Sequence, residues 1–186
     1  MAGTDNKTRL DLIKGTIRTI PDFPKPGIQF RDVTTLLGNA AAFGAAVDEL
    51  ARFADTGAAI TQVAGIEARG FILGGAVAQR LGLGFVPVRK RGKLPAACLS
   101  EEYELEYGTD CVEIHTDAVT ADDRVLVIDD LLATGGTAAA AVRLLRRAGA
   151  KVTGAAFVID LPDLGGRDKL AHQGVAVHAL CSFSGH

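Results

Sequence analysis

Val125-Leu-Val-Ile-Asp-Asp-Leu-Leu-Ala-Thr-Gly-Gly-Thr137 is an apolar run that ends in two carboxylates and passes through a Thr/Gly turn into an alanine-rich stretch. Its apolar residues do not alternate with polar ones. That is the pattern of a strand covered on both faces, as in the parallel sheet of an α/β domain. In such sheets ligands bind beyond the carboxyl ends of the strands, and a glycine-rich turn entering a helix lets backbone N–H groups surround a phosphate. Thr134, Gly135, Gly136 and Thr137 suit that task. Asp129 and Asp130 stand where a sugar's hydroxyls could be gripped. Successive strand side chains point to opposite sides, so one is expected to hold the sugar and the other to anchor the loop.

Outward from this segment, strand and helix signals alternate. Strands are expected over 60–64, 85–88, 124–129, 151–159 and 175–180, and helices over 6–18, 40–53, 71–81 and 137–148. Asn39 precedes the second helix as an N-cap. Pro21, Pro24 and Pro26 then forbid regular structure, and that proline segment is expected to be an ordered loop. The segment 90–108 breaks the rhythm, being charged, Gly/Pro-bearing and long for a connection in a compact domain, and is expected to be a lid or disordered. The expectation is one α/β domain of 186 residues with a mostly parallel central sheet flanked by helices. It would carry a small N-terminal hood over about residues 1–35 and a flexible lid over about 90–108.

Twenty Lys and Arg against 22 Asp and Glu leave a net charge of -2, which offers no general attraction to nucleic acid or an anionic membrane. No apolar stretch approaches the ~20 residues of a membrane span. Three cysteines, Cys98, Cys111 and Cys181, at wide spacings and without a secretory leader argue for a reducing, cytoplasmic setting. The dinucleotide fingerprint G-x-G-x-x-G is absent, and the P-loop spacing at Gly65 to Gly70 continues into Phe71 rather than lysine. The bland reading of Asp-Asp plus a glycine turn is an ordinary capped helix. Cys111 and His115 share a strand-like segment but lack a second pair at ligand spacing, so no zinc site is expected.

The segment 125–137 resembles the phosphoribosyl diphosphate binding motif of the type I phosphoribosyltransferases. Phe23-Pro-Lys-Pro-Gly-Ile-Gln-Phe-Arg-Asp32, Glu67-Ala-Arg-Gly-Phe71 running to Val88-Arg-Lys-Arg-Gly-Lys-Leu-Pro95, and Leu105-Glu-Tyr-Gly108 narrow the resemblance to the branch acting on adenine. The resemblance implies the family's fold and the conversion of adenine and phosphoribosyl diphosphate into AMP and diphosphate. It further implies that Asp129 and Asp130 hold the ribose hydroxyls and that Ala133 to Thr137 wraps the 5′-phosphate. Arg69 would meet the diphosphate, a task suited to a planar guanidinium that keeps its charge. The basic patch of Arg89, Lys90, Arg91 and Lys93 would neutralise diphosphate, with a basic residue able to serve a neighbouring subunit in a homodimer.

Glu106 lies in a run with Glu101, Glu102 and Glu104 whose bland reading is a solvated acidic face. The resemblance makes it the carboxylate that receives the adenine ring proton, with Tyr107 closing over the site. Gln29, Phe30 and Arg31 match the base-recognition loop, although an aliphatic residue is commoner at Gln29. Ala133 stands where relatives acting on 6-oxopurines place an aspartate, in keeping with a 6-aminopurine. Mg²⁺ would arrive bound mainly through the donor's diphosphate, with no dedicated protein metal site. Two rivals stand beside this reading: the same chemistry on hypoxanthine, guanine, xanthine or orotate, and a donor-sensing regulator that binds DNA. The second lacks any segment to supply a DNA-reading element.

Overall fold

The computed structural model describes residues 2–54, 59–104 and 108–185, with side chains from residue 6 onward. In chain order the elements are α1 (Ala2–Thr16), β1 (Arg18–Pro21), β2 (Gln29–Asp32), α2 (Thr34–Leu37), α3 (Ala40–Ala54), β3 (Gln62–Ile66), α4 (Arg69–Leu81), β4 (Gly84–Lys90), β5 (Cys98–Glu104), β6 (Thr109–His115), β7 (Arg124–Leu132), α5 (Gly136–Arg147), β8 (Lys151–Asp160), the 3-10 turn Pro162–Leu164, α6 (Gly166–Ala171) and β9 (Val177–Ser182).

Seven strands form one sheet in the order β5-β6-β4-β3-β7-β8-β9. Its five neighbours β4, β3, β7, β8 and β9 run parallel, and β6 and β5 extend it antiparallel. The unalternating apolar pattern of β7 has its explanation in the two cores. Val125 and Val127 pack with α5 on one face, while Leu126 and Ile128 pack with α3 and α4 on the other. In β8, Val152, Ala155 and Phe157 face the first core, and Ala156 and Val158 the second. Asn39 caps α3 as its sequence position predicts: its side-chain oxygen accepts from the Ala42 N–H at 3.1 Å.

Two expectations need correction. Of the N-terminal segment, α1 belongs to the main body, burying Ile13, with Ile17 just beyond its end, in the core with α3; β1 and β2 stand apart, as an antiparallel pair. In the segment expected as an irregular lid, residues 98–104 are strand β5, paired along their length with β6. The acidic run concealed a period of two. Leu99 and Tyr103 supply the apolar inner face, and Glu101 between them turns to Arg143 and Arg147 of α5, at 2.7 and 2.6 Å. Among the described residues no helix is long and apolar enough to cross a membrane.

Candidate active site

From β3 the chain crosses through α4 to β4 on one side, and from β7 through α5 to β8 on the other, so the strand order reverses between β3 and β7. Ligand crevices open at such reversals, outside the carboxyl ends of the strands. A cavity of about 490 Å³ lies there. Ile66, Glu67 and Arg69 line it from the end of β3, Lys90 from β4, residues 129–138 from β7 and its loop, Leu161 and Leu164 from beyond β8, and residues 28–31 from the hood.

The turn after β7 is built for close approach. Gly135 holds φ +73°, the left-handed region that glycine enters without steric cost. It lies directly on Gly166, the first residue of α6: a Cβ on Gly166 would come within 2.2 Å of the Ala133 carbonyl oxygen and 2.9 Å of the Gly135 nitrogen. Residues 133–137 are therefore clamped backbone to backbone. The first N–H groups of α5, which have no partner within the helix, open at the cavity beside Thr134 and Thr137.

Asp129 and Asp130 both line this cavity, despite the expected alternation. Asp130 is buried at 4% exposure and takes an ion pair from the Arg69 Nε. Asp129 accepts the Asp130 backbone N–H at 2.9 Å. Burial, and then the neighbouring Asp130 charge, push the Asp129 carboxyl well above the usual carboxylate range. Burial alone would lower the Arg69 guanidinium, but Asp130 and Asp129 outweigh it and raise it.

The basic patch divides. Lys90 reaches the cavity, where its ammonium is paired with Asp110 and donates to the Tyr103 hydroxyl at 2.5 Å, while Tyr103 donates to Asp110 at 2.9 Å. The Lys90 pair holds the Asp110 carboxyl below its ordinary value. Arg89 and Lys93 are not on the cavity wall. Arg89 lies over the Phe71 ring, 3.4 Å from Glu67, and donates to the Lys93 carbonyl at 3.1 Å. Arg91 pairs with Glu102 at 2.7 Å. Glu67 is held ionised, its carboxyl lowered chiefly by the Lys90 backbone N–H at 2.9 Å.

On the hood side, Gln29, Phe30 and Arg31 all line the cavity, with Leu161 and Leu164 among its apolar residues. Phe30 meets Phe23 edge-on, ring centroids 5.2 Å apart. Glu106 and Tyr107 lie outside the described residues. Cys111 and His115 are on β6, and among the described residues no three His, Cys, Asp or Glu side chains form a group that could hold a metal ion. Sequence reasoning missed the Asp110–Lys90–Tyr103 cluster, Leu161, Leu164 and the Gly166 clamp. The position of Leu161 and Leu164 just beyond a strand's carboxyl end was the available signal for those two.

The phosphoribosyl transferase domain model matches residues 34–175, and the chain belongs to that family. Within it, the chain is similar to the adenine phosphoribosyltransferase of Parvibaculum lavamentivorans, with 63% identity over 174 residues covering 94% of this chain and 99% of that one. Among solved structures, adenine phosphoribosyltransferase from Rhodothermus marinus superposes with a TM-score of 0.88 at 52% identity, over 95% of this chain and 99% of that chain. The enzyme from Saccharomyces cerevisiae, complexed with D-2,5-dideoxy-2,5-imino-altritol 1,6-bisphosphate and adenine, gives 0.87 at 37% identity, over 94% of this chain and 99% of that one.

Proposed function

We propose that this chain transfers the 5-phosphoribosyl group of 5-phospho-α-D-ribose 1-diphosphate to adenine, giving AMP and diphosphate, a reaction of purine salvage. The observation that carries the reading is the composition of the cavity at the β3/β7 reversal. A clamped glycine turn, two aspartates, an arginine and a lysine meet an aromatic and aliphatic wall there. Such a set suits a phosphorylated sugar on one side and a planar base on the other.

The bond from the anomeric carbon to the diphosphate oxygen breaks, and one from that carbon to the adenine ring nitrogen forms. The transition state is oxocarbenium-like. Residues 133–137 bind the 5′-phosphate through backbone N–H groups. Asp129 and Asp130 accept the ribose hydroxyls and stand near the developing positive charge. Arg69 and Lys90 meet the diphosphate as it leaves with the bonding electrons. The base's ring proton passes to the Glu106 carboxylate. Phe30 stacks on adenine, while the backbone of Gln29 and Arg31 reads its amino edge. Ala133 leaves room without offering a base of its own, so proton acceptance falls to Glu106.

Magnesium fits this donor set as an ion carried on the diphosphate. The Asp129 carboxyl, raised by burial and its neighbour, is a hard oxygen site where a cation would relieve the repulsion between the two aspartates. Asp129 and Asp130 would give the ion no more than carboxylate or water-mediated contacts, and it would supply neutralisation of the leaving group's charge. A basic residue of the 89–93 patch is assigned to the neighbouring subunit's site in a homodimer, and the enzyme to the cytoplasm. The test is incubation of the protein with adenine, phosphoribosyl diphosphate and Mg²⁺, with AMP and diphosphate counted. One-to-one release supports the reading, and donor consumption without AMP refutes it.

A further inference from the structure

The two walls of the cavity that face the base come from segments far apart in sequence. One is the hood strand β2, which pairs only with β1 and is not part of the seven-stranded sheet. The other is the 3-10 turn after β8, flanked by Leu161 and ending at Leu164. Residues 183–185, just beyond β9, are tied to both. The Phe183 N–H donates to the Asp160 carbonyl at 3.1 Å, which continues the sheet. Its ring lies under the Arg31 guanidinium, 4.5 Å from the ring centroid, with the Lys14 ammonium also over it at 5.0 Å. The Ser184 carbonyl accepts from Arg31 at 3.3 Å. One residue on, the Gly185 N–H donates to Asp163 of the 3-10 turn at 2.8 Å.

We propose that residues 183–185 are a strap that sets the width of the base slot, with Phe183 as a positioning residue for adenine acting through Arg31. Both terminal nitrogens of Arg31 are engaged in this anchorage: besides the ring and the Ser184 carbonyl, the side chain donates to Thr19 at 2.5 Å within the hood, and only its buried Nε has no partner. Arg31 is thus held in place at its guanidinium by contacts to Thr19, Phe183 and Ser184. A cation over an aromatic face, combined with a hydrogen bond to a carbonyl, fixes the hood against sliding away from Leu161 and Leu164. Among the described residues no hydrogen bond runs directly from residues 183–185 to residues 129–137, the donor's half of the cavity, which the strap reaches only at one remove, through the turn whose Leu161 N–H donates to the Leu132 carbonyl at 3.0 Å. The clamp of that half is Gly166. The strap therefore acts on the adenine side directly and on the donor side only through that turn.

This rests on the adenine-transfer reading, and the test separates the two. In steady-state kinetics, Phe183→Ala is expected to raise KM for adenine about tenfold, the loss of one cation–ring anchor. KM for phosphoribosyl diphosphate stays within about twofold, and Phe183→Tyr restores the adenine KM. Asp163→Ala unties the other end of the strap without touching the ring, and raises the adenine KM selectively as well. It answers the question should Phe183→Ala fail to fold. Equal movement of both KM values, or movement of neither, overturns the strap. An inactive wild type instead overturns the transfer reading on which it rests.

Discussion

Gly166→Ala is the substitution most sharply defined by the geometry. The new Cβ would stand 2.2 Å from the Ala133 carbonyl oxygen, about 1 Å inside ordinary van der Waals contact, and 2.9 Å from the Gly135 nitrogen. Both obstacles are backbone, so no side chain can rotate away and the turn 133–137 must shift as a unit. Overpacking of this kind costs about 1–3 kcal/mol of stability. A displacement of about 1 Å in a substrate-positioning element costs about 10²-fold in rate. The expected outcome is a folded protein with kcat/KM for phosphoribosyl diphosphate reduced about 10²-fold, measured at saturating adenine beside a thermal melt. Gly44→Ala at an exposed position of α3, where a Cβ meets nothing within 4 Å, is the control and leaves the kinetics unchanged. Wild-type donor kinetics in folded Gly166→Ala would refute the clamp.

Other outcomes follow from the same site and core. Asp129→Asn and Asp130→Asn should weaken use of the donor, read as kcat/KM for phosphoribosyl diphosphate, and unchanged values in both would remove the ribose assignment. Glu106→Gln should keep donor binding but lose turnover, because proton acceptance vanishes while shape remains; normal turnover would take Glu106 out of the mechanism. Asp32 is held at about 2, by the Arg18 hydrogen bond first and then the Thr34 backbone N–H, against an ordinary 3.8. Between those values the unfolded chain binds the extra proton, so this stabilisation is complete above about pH 4 and is lost as pH falls through about 2. Denaturant titrations of wild type and Asp32→Asn should therefore converge over that window, and a constant difference would contradict the pairing. Phe157→Ala, at a fully buried ring in β8, should cost about 3–5 kcal/mol by chemical denaturation, and a loss below about 1 kcal/mol would mean the core collapses around it.

What could be read from the sequence was local. The strand, the two aspartates and the glycine turn of 125–137 are contiguous, so their chemistry is visible in thirteen letters. The two covered faces of β7 were legible for the same reason, since burial on both sides imposes an unalternating pattern. Features built across long separations were not legible. Lys90 meets Asp110 twenty residues on, with Tyr103 between them, and nothing at any of the three positions announces the cluster. Strand β5 was hidden because charged residues occupied strand positions. Glu101 can face inward only because α5 brings Arg143 and Arg147 to it. Gly166 shows its purpose only when the Ala133 carbonyl is seen against it. The parting of Arg89 from Lys90 follows from strand alternation at the end of β4 and from the pull of Glu67, which needs the register of β3 against β4 to be known, while Lys93 lies beyond the end of that strand.

The most direct test is nucleotide and diphosphate formation from phosphoribosyl diphosphate and Mg²⁺ with adenine, hypoxanthine, guanine, xanthine and orotate in parallel reactions. The account predicts product with adenine alone. Product with one of the other four bases in place of adenine, or none with any base, would contradict it.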